Sequence, residues 1–269
     1  NIRAQTRRHL FPATLYELAV RDRRGEVLSK RIKGQNGIVP VGKTDIIGVV
    51  VGSPTFDWKK SQSLLLPGAI AESLTSYGGD FNNGSQTKLT EFLRQGAAGS
   101  SGAVAEPYSF QQKFPVPLLH SYYADGCSLA EAFYQSVEYP YQLIVVGDPL
   151  ARPFARFAEI GLEYPDSRQP WSGSVSLKPF VRAPAGSGIK AVELWVNGQR
   201  LFTAAVGEEI EFDTRELANG THQLRLVAVE DSVIETRSYT GFDIRVMNRD
   251  AAVEIDKVQR SVRYGSDIQ

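Results

Sequence analysis

Two patterns of hydrophobic and polar positions divide this chain. Over roughly its first 150 residues the apolar positions fall in short uninterrupted runs separated by Gly, Pro and Ser. Residues 45–51 (DIIGVVV) are continuous and rich in β-branched side chains, which predicts a central parallel strand buried on both faces. Residues 142–146 (QLIVV) predict a second buried strand, ended by Gly147, Asp148 and Pro149. Between them, residues 68–74 read as a short helix. Residues 86–95 read as another, with Leu89, Phe92 and Leu93 on one face and Gly96 as the stop. Residues 96–107 (GAAGSSGAVAEP) predict a tight loop feeding a short strand where backbone is approached closely. Residues 128–137 carry the clearest helix signal, because Ser128 and Glu131 can form a capping box. Strands alternating with helices at this spacing predict a three-layer α/β domain with a mainly parallel sheet.

Beyond Pro153 the period changes to alternation. Two extended runs meet at Asn197-Gly198, a strong hairpin signal because both residues tolerate positive φ. A second Asn-Gly, at 219–220, precedes THQLRLVAVE (221–230), in which Leu224, Leu226 and Ala228 alternate with polar positions; strands continue to Met247. Regularly spaced short strands predict an all-β, immunoglobulin-like sandwich without an inter-sheet disulfide. The organisation is thus a basic N-terminal arm (1–44), an α/β domain (45–158), a sandwich (170–248) and a charged C-terminal tail (249–269).

Composition changes this picture in two respects. Thirty basic and thirty acidic residues cancel, but the arm carries Arg7, Arg8, Arg21, Arg23, Arg24, Lys30, Arg31 and Lys33 while the α/β domain is acidic. No aromatic platform or helix-turn-helix pattern accompanies the arm, so it reads as a solvated face, or a patch docking on an acidic partner or on this chain's own acidic domain, and not as a nucleic-acid footprint. The single cysteine, Cys127, excludes an intrachain disulfide and a Cys-cluster zinc site. The first residue, Asn1, suggests a processed, exported chain, and no apolar run is long enough to span a bilayer.

Several strings resemble chemistry. Residues 37–44 (GIVPVGKT) match a phosphate-binding loop letter for letter, but the residues after Lys43 predict a strand where that loop requires a helix. Cys127 precedes the capped helix, whose N-terminus would lower a thiol pKa, and His120 lies seven residues upstream. Glu106, Tyr108 and Asp148 fall at predicted strand ends, where α/β sheets assemble sites. Each has a structural alternative: Cys127 as a small apolar residue beside a cap, Glu106 in a buried pair, Asp148 capping a turn. His9 and His222 have no partners at metal-ligand spacing, and no cofactor or metal site is indicated. The sequons at Asn83 and Asn219 read as turns.

Residues 67–154 resemble a family of uncharacterised, exported bacterial proteins, through PGAIAESLTSYGG (67–79), GAAGSSGAVAEPY (96–108), KFP (113–115), GCSLAEAFYQS (126–136) and GDPLARPF (147–154). The resemblance implies a following sandwich and, distantly, the caspase-like fold of gingipain-type and clostripain-type peptidases. It places a catalytic His near residues 73–76 and a catalytic Cys near 105–108, yet neither stretch contains His or Cys. The resemblance also implies that much of the family's N-terminal α/β half is absent or replaced by the basic arm, which leaves a sheet for another chain to complete. The expectation is a non-catalytic binding or structural protein, periplasmic or extracellular, engaging a protein partner in an assembly; the alternative is a cysteine peptidase-like hydrolase.

Overall fold

The computed structural model describes residues 39–163 and 169–248, which divide into two compact units at the junction of Arg156 and Phe157. The arm through residue 38 and the tail from residue 249 lie outside the described residues. The first unit runs β1 (Ile46–Val51), α1 (Trp58–Ser61), β2 (Leu65–Ser73), α2 (Thr90–Arg94), β3 (Gly99–Ala103), α3 (Leu119–Ala124), α4 (Leu129–Gln135) and β4 (Leu143–Gly147). Its sheet has the order β1-β2-β3-β4. The first two pairings are parallel and the third antiparallel.

Helices cover both faces of this sheet. Val49, Val51, Ala69 and Ala71 pack on one face with Phe56, Trp58 and Phe92. On the other, the missing side chains of Gly48 and Gly99 make room for His120 of α3 and Leu129 of α4. The capping box forms as the sequence predicts: Ser128 Oγ accepts from the Glu131 amide at 3.3 Å, and Glu131 Oε2 accepts from the Ser128 amide at 2.7 Å. Gly96 stops α2 with φ +101°.

Four expectations are corrected. Residues 45–51 form an end strand among the described residues instead of a central one. Residues 68–74, read as a helix, belong to β2, the strand lying between β1 and β3. Its residues Ala69–Ile70–Ala71–Glu72–Ser73 are buried on both faces, so no period-2 alternation marked them as strand. The strand over 142–146 is half-buried and antiparallel. The reason lies in the connection: single-helix crossovers return the chain to the starting edge, whereas α3 followed by α4 brings it back to the edge where β3 finished, and the Val104 amide already donates to Gln142 O there. Finally, a strand at Glu159–Glu163 (β5), absent from the sequence reading, belongs to the second unit, so that unit begins before residue 170.

The second unit is all-β. β5 lies in a three-stranded sheet, β5-β6-β9, with β6 at Ser174–Arg182 and β9 at Ile210–Asp213. A four-stranded sheet follows the order β11-β10-β7-β8, with β7 at Ile189–Val196, β8 at Gln199–Ala204, β10 at Gly220–Glu230 and β11 at Arg237–Val246. The pairings within both sheets are antiparallel. Leu177, Ile210 and Phe212 from one sheet and Val192, Leu194, Leu224, Leu226 and Ile244 from the other share one core, which makes the unit a sandwich. The β7–β8 turn places Asn197 at φ 50° and Gly198 at φ 82°, as the Asn-Gly pair predicts.

One polar residue interrupts the apolar logic of this unit. The Glu193 carboxylate is 4% exposed and accepts from Trp195 Nε1 at 2.9 Å, Arg200 at 3.0 Å and Arg237 at 2.7 Å. Burial by itself would raise its pKa, but the three donors outweigh burial and hold it below the ordinary 4.5. A depressed folded-state pKa stabilises the fold above the ordinary carboxylate range, and that contribution is lost as the pH falls through the folded value. Glu193→Gln is therefore expected to unfold more easily than the parent near neutrality and to converge with it below 4.5. Urea denaturation of both proteins from about pH 7 to about pH 3 measures this. Stability curves that stay parallel over that range would show that Glu193 is not coupled to the fold.

Candidate functional site

In a parallel sheet, sites form where the strands end, because the loops there are free to vary while the strand ends hold them in place. Here β1, β2 and β3 finish at one edge, and β4 starts from it. The loop after β2 is tied down at that edge. The Leu74 amide donates to Val51 O at 2.8 Å, Ser73 Oγ and Thr75 Oγ1 are 3.0 Å apart, and the Gly79 amide donates to Ala103 O at 2.8 Å. Lys88 Nζ donates to Tyr77 O and the Tyr77 amide to Gln86 Oε1, both at 2.8 Å. Gly78 and Gly79 lie against Gly102 so closely that a Cβ on Gly102 would stand 2.7 Å from Gly78 C and 2.8 Å from Gly79 N. The close backbone approach expected for the small-residue string is thus between β3 and this loop.

After β3 the chain turns outward. Tyr108 adopts φ 52°, a left-handed conformation uncommon for a side chain of its size, and its amide donates to Glu106 Oε1 at 2.8 Å. Its ring meets Phe110 edge-on at 6.5 Å, and Lys113 Nζ stands 5.2 Å over the Phe110 ring. Lys113 also donates to Gln142 Oε1, and the Tyr139 amide donates to Gln112 O at 2.8 Å, so the segment before β4 joins the same edge. The result is a rim of exposed apolar side chains: Val104, Tyr108, Phe110, Tyr139 and Tyr141, the last 90% exposed.

The sequence-predicted site residues do not converge. Glu106 and Tyr108 share the rim, as their positions suggest. Cys127 is buried, and its Sγ accepts from Gln135 Nε2 at 3.8 Å. The pKa lowering expected from the helix N-terminus is overturned: burial, reinforced by the Glu131 carboxylate, pushes the thiol up. His120 packs against Gly48 of β1, and burial lowers its pKa to about 4, so its imidazole is neutral at physiological pH. No Cys127–His120 dyad is formed. Asp148 follows β4 at the opposite end of the sheet, where it is exposed, accepts from the Leu150 amide at 2.9 Å in a turn, and helps to raise Tyr123, whose burial carries its pKa to about 12.

The phosphate-loop look-alike is also accounted for over its described part. Gly42 N donates to Ser61 O at 2.8 Å and Lys43 N to Ser63 Oγ at 3.0 Å, which pins the segment as a loop entering β1, with no helix behind Lys43. Of the other flagged residues, Asn83 Oδ1 accepts from the Ser85 amide at 2.9 Å within its turn, and His222 contacts Asn197 and Ala218 beside a hairpin. His9 lies outside the described residues. Among the described residues no group of three or more His, Cys, Asp or Glu side chains is placed to hold a metal ion, and no helix is long and apolar enough to cross a membrane.

Two features escaped the sequence reading. Glu72 is a buried carboxylate on β2, in register with Ser101 of β3. It went unnoticed because its segment read as a helix; a strand ending AES before a Ser/Thr loop would have flagged it. The aromatic rim draws on residues more than 30 apart in sequence, which no local pattern joins.

The sequence matches no known family model, and no curated protein matches it. Among solved structures, it is similar to fibronectin(III)-like modules of Clostridium thermocellum CbhA, with 18% identity over 34% of this chain and 100% of that one, at a TM-score of 0.30. It is also similar to the endo-β-1,4-mannanase of Thermotoga petrophila, with 12% identity over 35% of this chain and 20% of that one, at a TM-score of 0.29. A lytic polysaccharide monooxygenase of Jonesia denitrificans matches with 21% identity over 30% of this chain and 63% of that one, at a TM-score of 0.22. Each likeness extends over about a third of this chain; the all-β character of the second unit rests on its own strand pairing.

Proposed function

We propose that this chain is a non-catalytic binding protein of an exported, envelope or extracellular assembly, in which a caspase-like α/β unit has kept a sheet architecture without its chemistry and is joined to an immunoglobulin-like module. One observation carries the reading. The strand ends that would hold a catalytic dyad bear residues 73–76 and 105–108, which contain neither Cys nor His, while the single cysteine of the chain is buried with its thiol pKa raised. What that edge offers instead is the rim of exposed aromatic side chains, a composition typical of protein-binding surfaces because large rigid rings bury much area at little entropic cost. The partner read from this surface is a protein.

A thiol probe and a photocrosslinker test the proposal together. Selective labelling of Cys127 by a thiol-reactive probe near neutral pH, lost in Cys127→Ala, would revive the cysteine hydrolase and overturn the non-catalytic reading. A photoactivatable residue at Tyr141 is expected to yield a discrete adduct in native extract, whereas the same residue at exposed Lys59, on α1, is not. Equal crosslinking at both positions would remove the rim as a binding surface.

A further inference from the structure

The outer face of the four-stranded sheet in the second unit is a separate feature, independent of the rim on the first. Strand register places Arg200, Trp195, Arg225 and Gly241 in one row across β8, β7, β10 and β11. The next row holds Thr203, Glu193, Val227 and Tyr239. Arg237 flanks these rows at one end of β11 and Arg245 at the other. Charge is concentrated here against the trend of the unit. Residues 157–248 contain thirteen acidic and nine basic side chains, yet four of those nine, all arginines, lie on this face. The acids that its strands place on this face are Glu193 and Asp243, with Glu235 of the β10–β11 turn close enough to act on Arg237 and already paired with Lys190, and Glu193 is buried beneath its three donors.

The face is built, not merely basic. Glu193 anchors Arg200 and Arg237 and accepts from the Trp195 indole, so two guanidinium groups are held in place before any ligand arrives. Arg225 lies 4.9 Å over the Tyr239 ring, and neither it nor Arg245 forms an ion pair among the described residues. Opposite Arg225, Gly241 contributes no side chain, and a Cβ there would meet only Leu224 O at 3.5 Å, which leaves a shallow open floor beside the stacked pair. Along the first row a cation, a ring and a cation (Arg200, Trp195, Arg225) follow one another at the strand spacing of about 4.8 Å.

We propose that this face binds an anionic polysaccharide, a polymer of uronic acids, through Arg225, Arg200 and the rings of Tyr239 and Trp195. A uronate residue presents an apolar C–H face and a carboxylate side by side. The first suits an aromatic ring and the second a guanidinium fork, and a polymer repeats both at short intervals. A neutral glycan leaves the arginines unused. A membrane surface calls for long basic side chains around projecting apolar ones, whereas these arginines are tethered to a flat sheet.

Affinity electrophoresis of the full chain tests this, in gels containing sodium polygalacturonate, dextran or no polymer, with solution titration against polygalacturonate and oligo-dT. Retardation by polygalacturonate but not by dextran is expected. Arg225→Glu is expected to weaken it by about tenfold or more, and Tyr239→Ala by about threefold, with circular dichroism unchanged because both side chains are exposed. The absence of retardation overturns the proposal. So does binding of oligo-dT as tight as that of polygalacturonate with Tyr239→Ala having no effect, which would reveal a general polyanion surface.

Discussion

Phe92→Ala is expected to destabilise the α/β unit by about 3–5 kcal/mol, the usual result of deleting a buried aromatic ring. Phe92 is fully buried; its ring stacks on Phe56 at 5.2 Å between centroids and meets Trp58 edge-on at 5.8 Å. These three rings cover the sheet face formed by Val49, Val51, Ala69 and Ala71, whose small side chains cannot close the gap that Ala would leave. Trp58 is itself fixed, because Nε1 donates to Ser63 O at 2.9 Å, so it cannot swing into the void. Hydrogen exchange read by peptide separates the two units, and protection should fall over residues 46–73 while residues 220–246 of the sandwich keep theirs. A loss below about 1 kcal/mol would mean that the ring cluster contributes little.

Gly102→Ala is expected to cost about 1–3 kcal/mol and to release the loop at residues 74–79. The added Cβ would meet backbone at Gly78 and Gly79 within 2.8 Å, and backbone cannot rotate away as a flexible side chain can. The loop would have to lift, breaking the bond from the Gly79 amide to Ala103 O. Limited proteolysis reads this directly, as faster cleavage at Tyr77 than in the parent. Gly84→Ala serves as the control, since nothing lies within 4 Å of a Cβ there, and it should leave both stability and cleavage unchanged. Equal cleavage of Gly102→Ala and the parent would show that the contact does not hold the loop.

Both experiments probe features that were unevenly legible in the chain. The capping box at Ser128 and Glu131, the stop at Gly96 and the Asn197-Gly198 turn were readable because each depends on residues at most three or four positions apart. The strand nature of residues 65–73 was not, because a strand buried on both faces loses the alternation that distinguishes it from a short helix. The direction of β4 was equally hidden, since it depends on how many helices precede it in the crossover. For the site, the vacancy at the expected dyad was readable as letters, but the state of Cys127 was not: its helix N-terminus argues for a reactive thiol and its burial argues against one, and only packing decides that burial prevails.

The chain's own order of residues determined the switch from uninterrupted apolar runs to alternation, and with it the change from helix-covered sheet to all-β sandwich. Local periodicity, caps and turns are properties of neighbours in sequence. Tertiary structure alone decided that Cys127 and His120 stay apart, that aromatic residues from two segments form one rim, and that Arg200, Trp195 and Arg225 from three strands stand in one row. Those arrangements depend on strand register and chain reversal, which bring together residues whose separation along the chain carries no signal of their proximity.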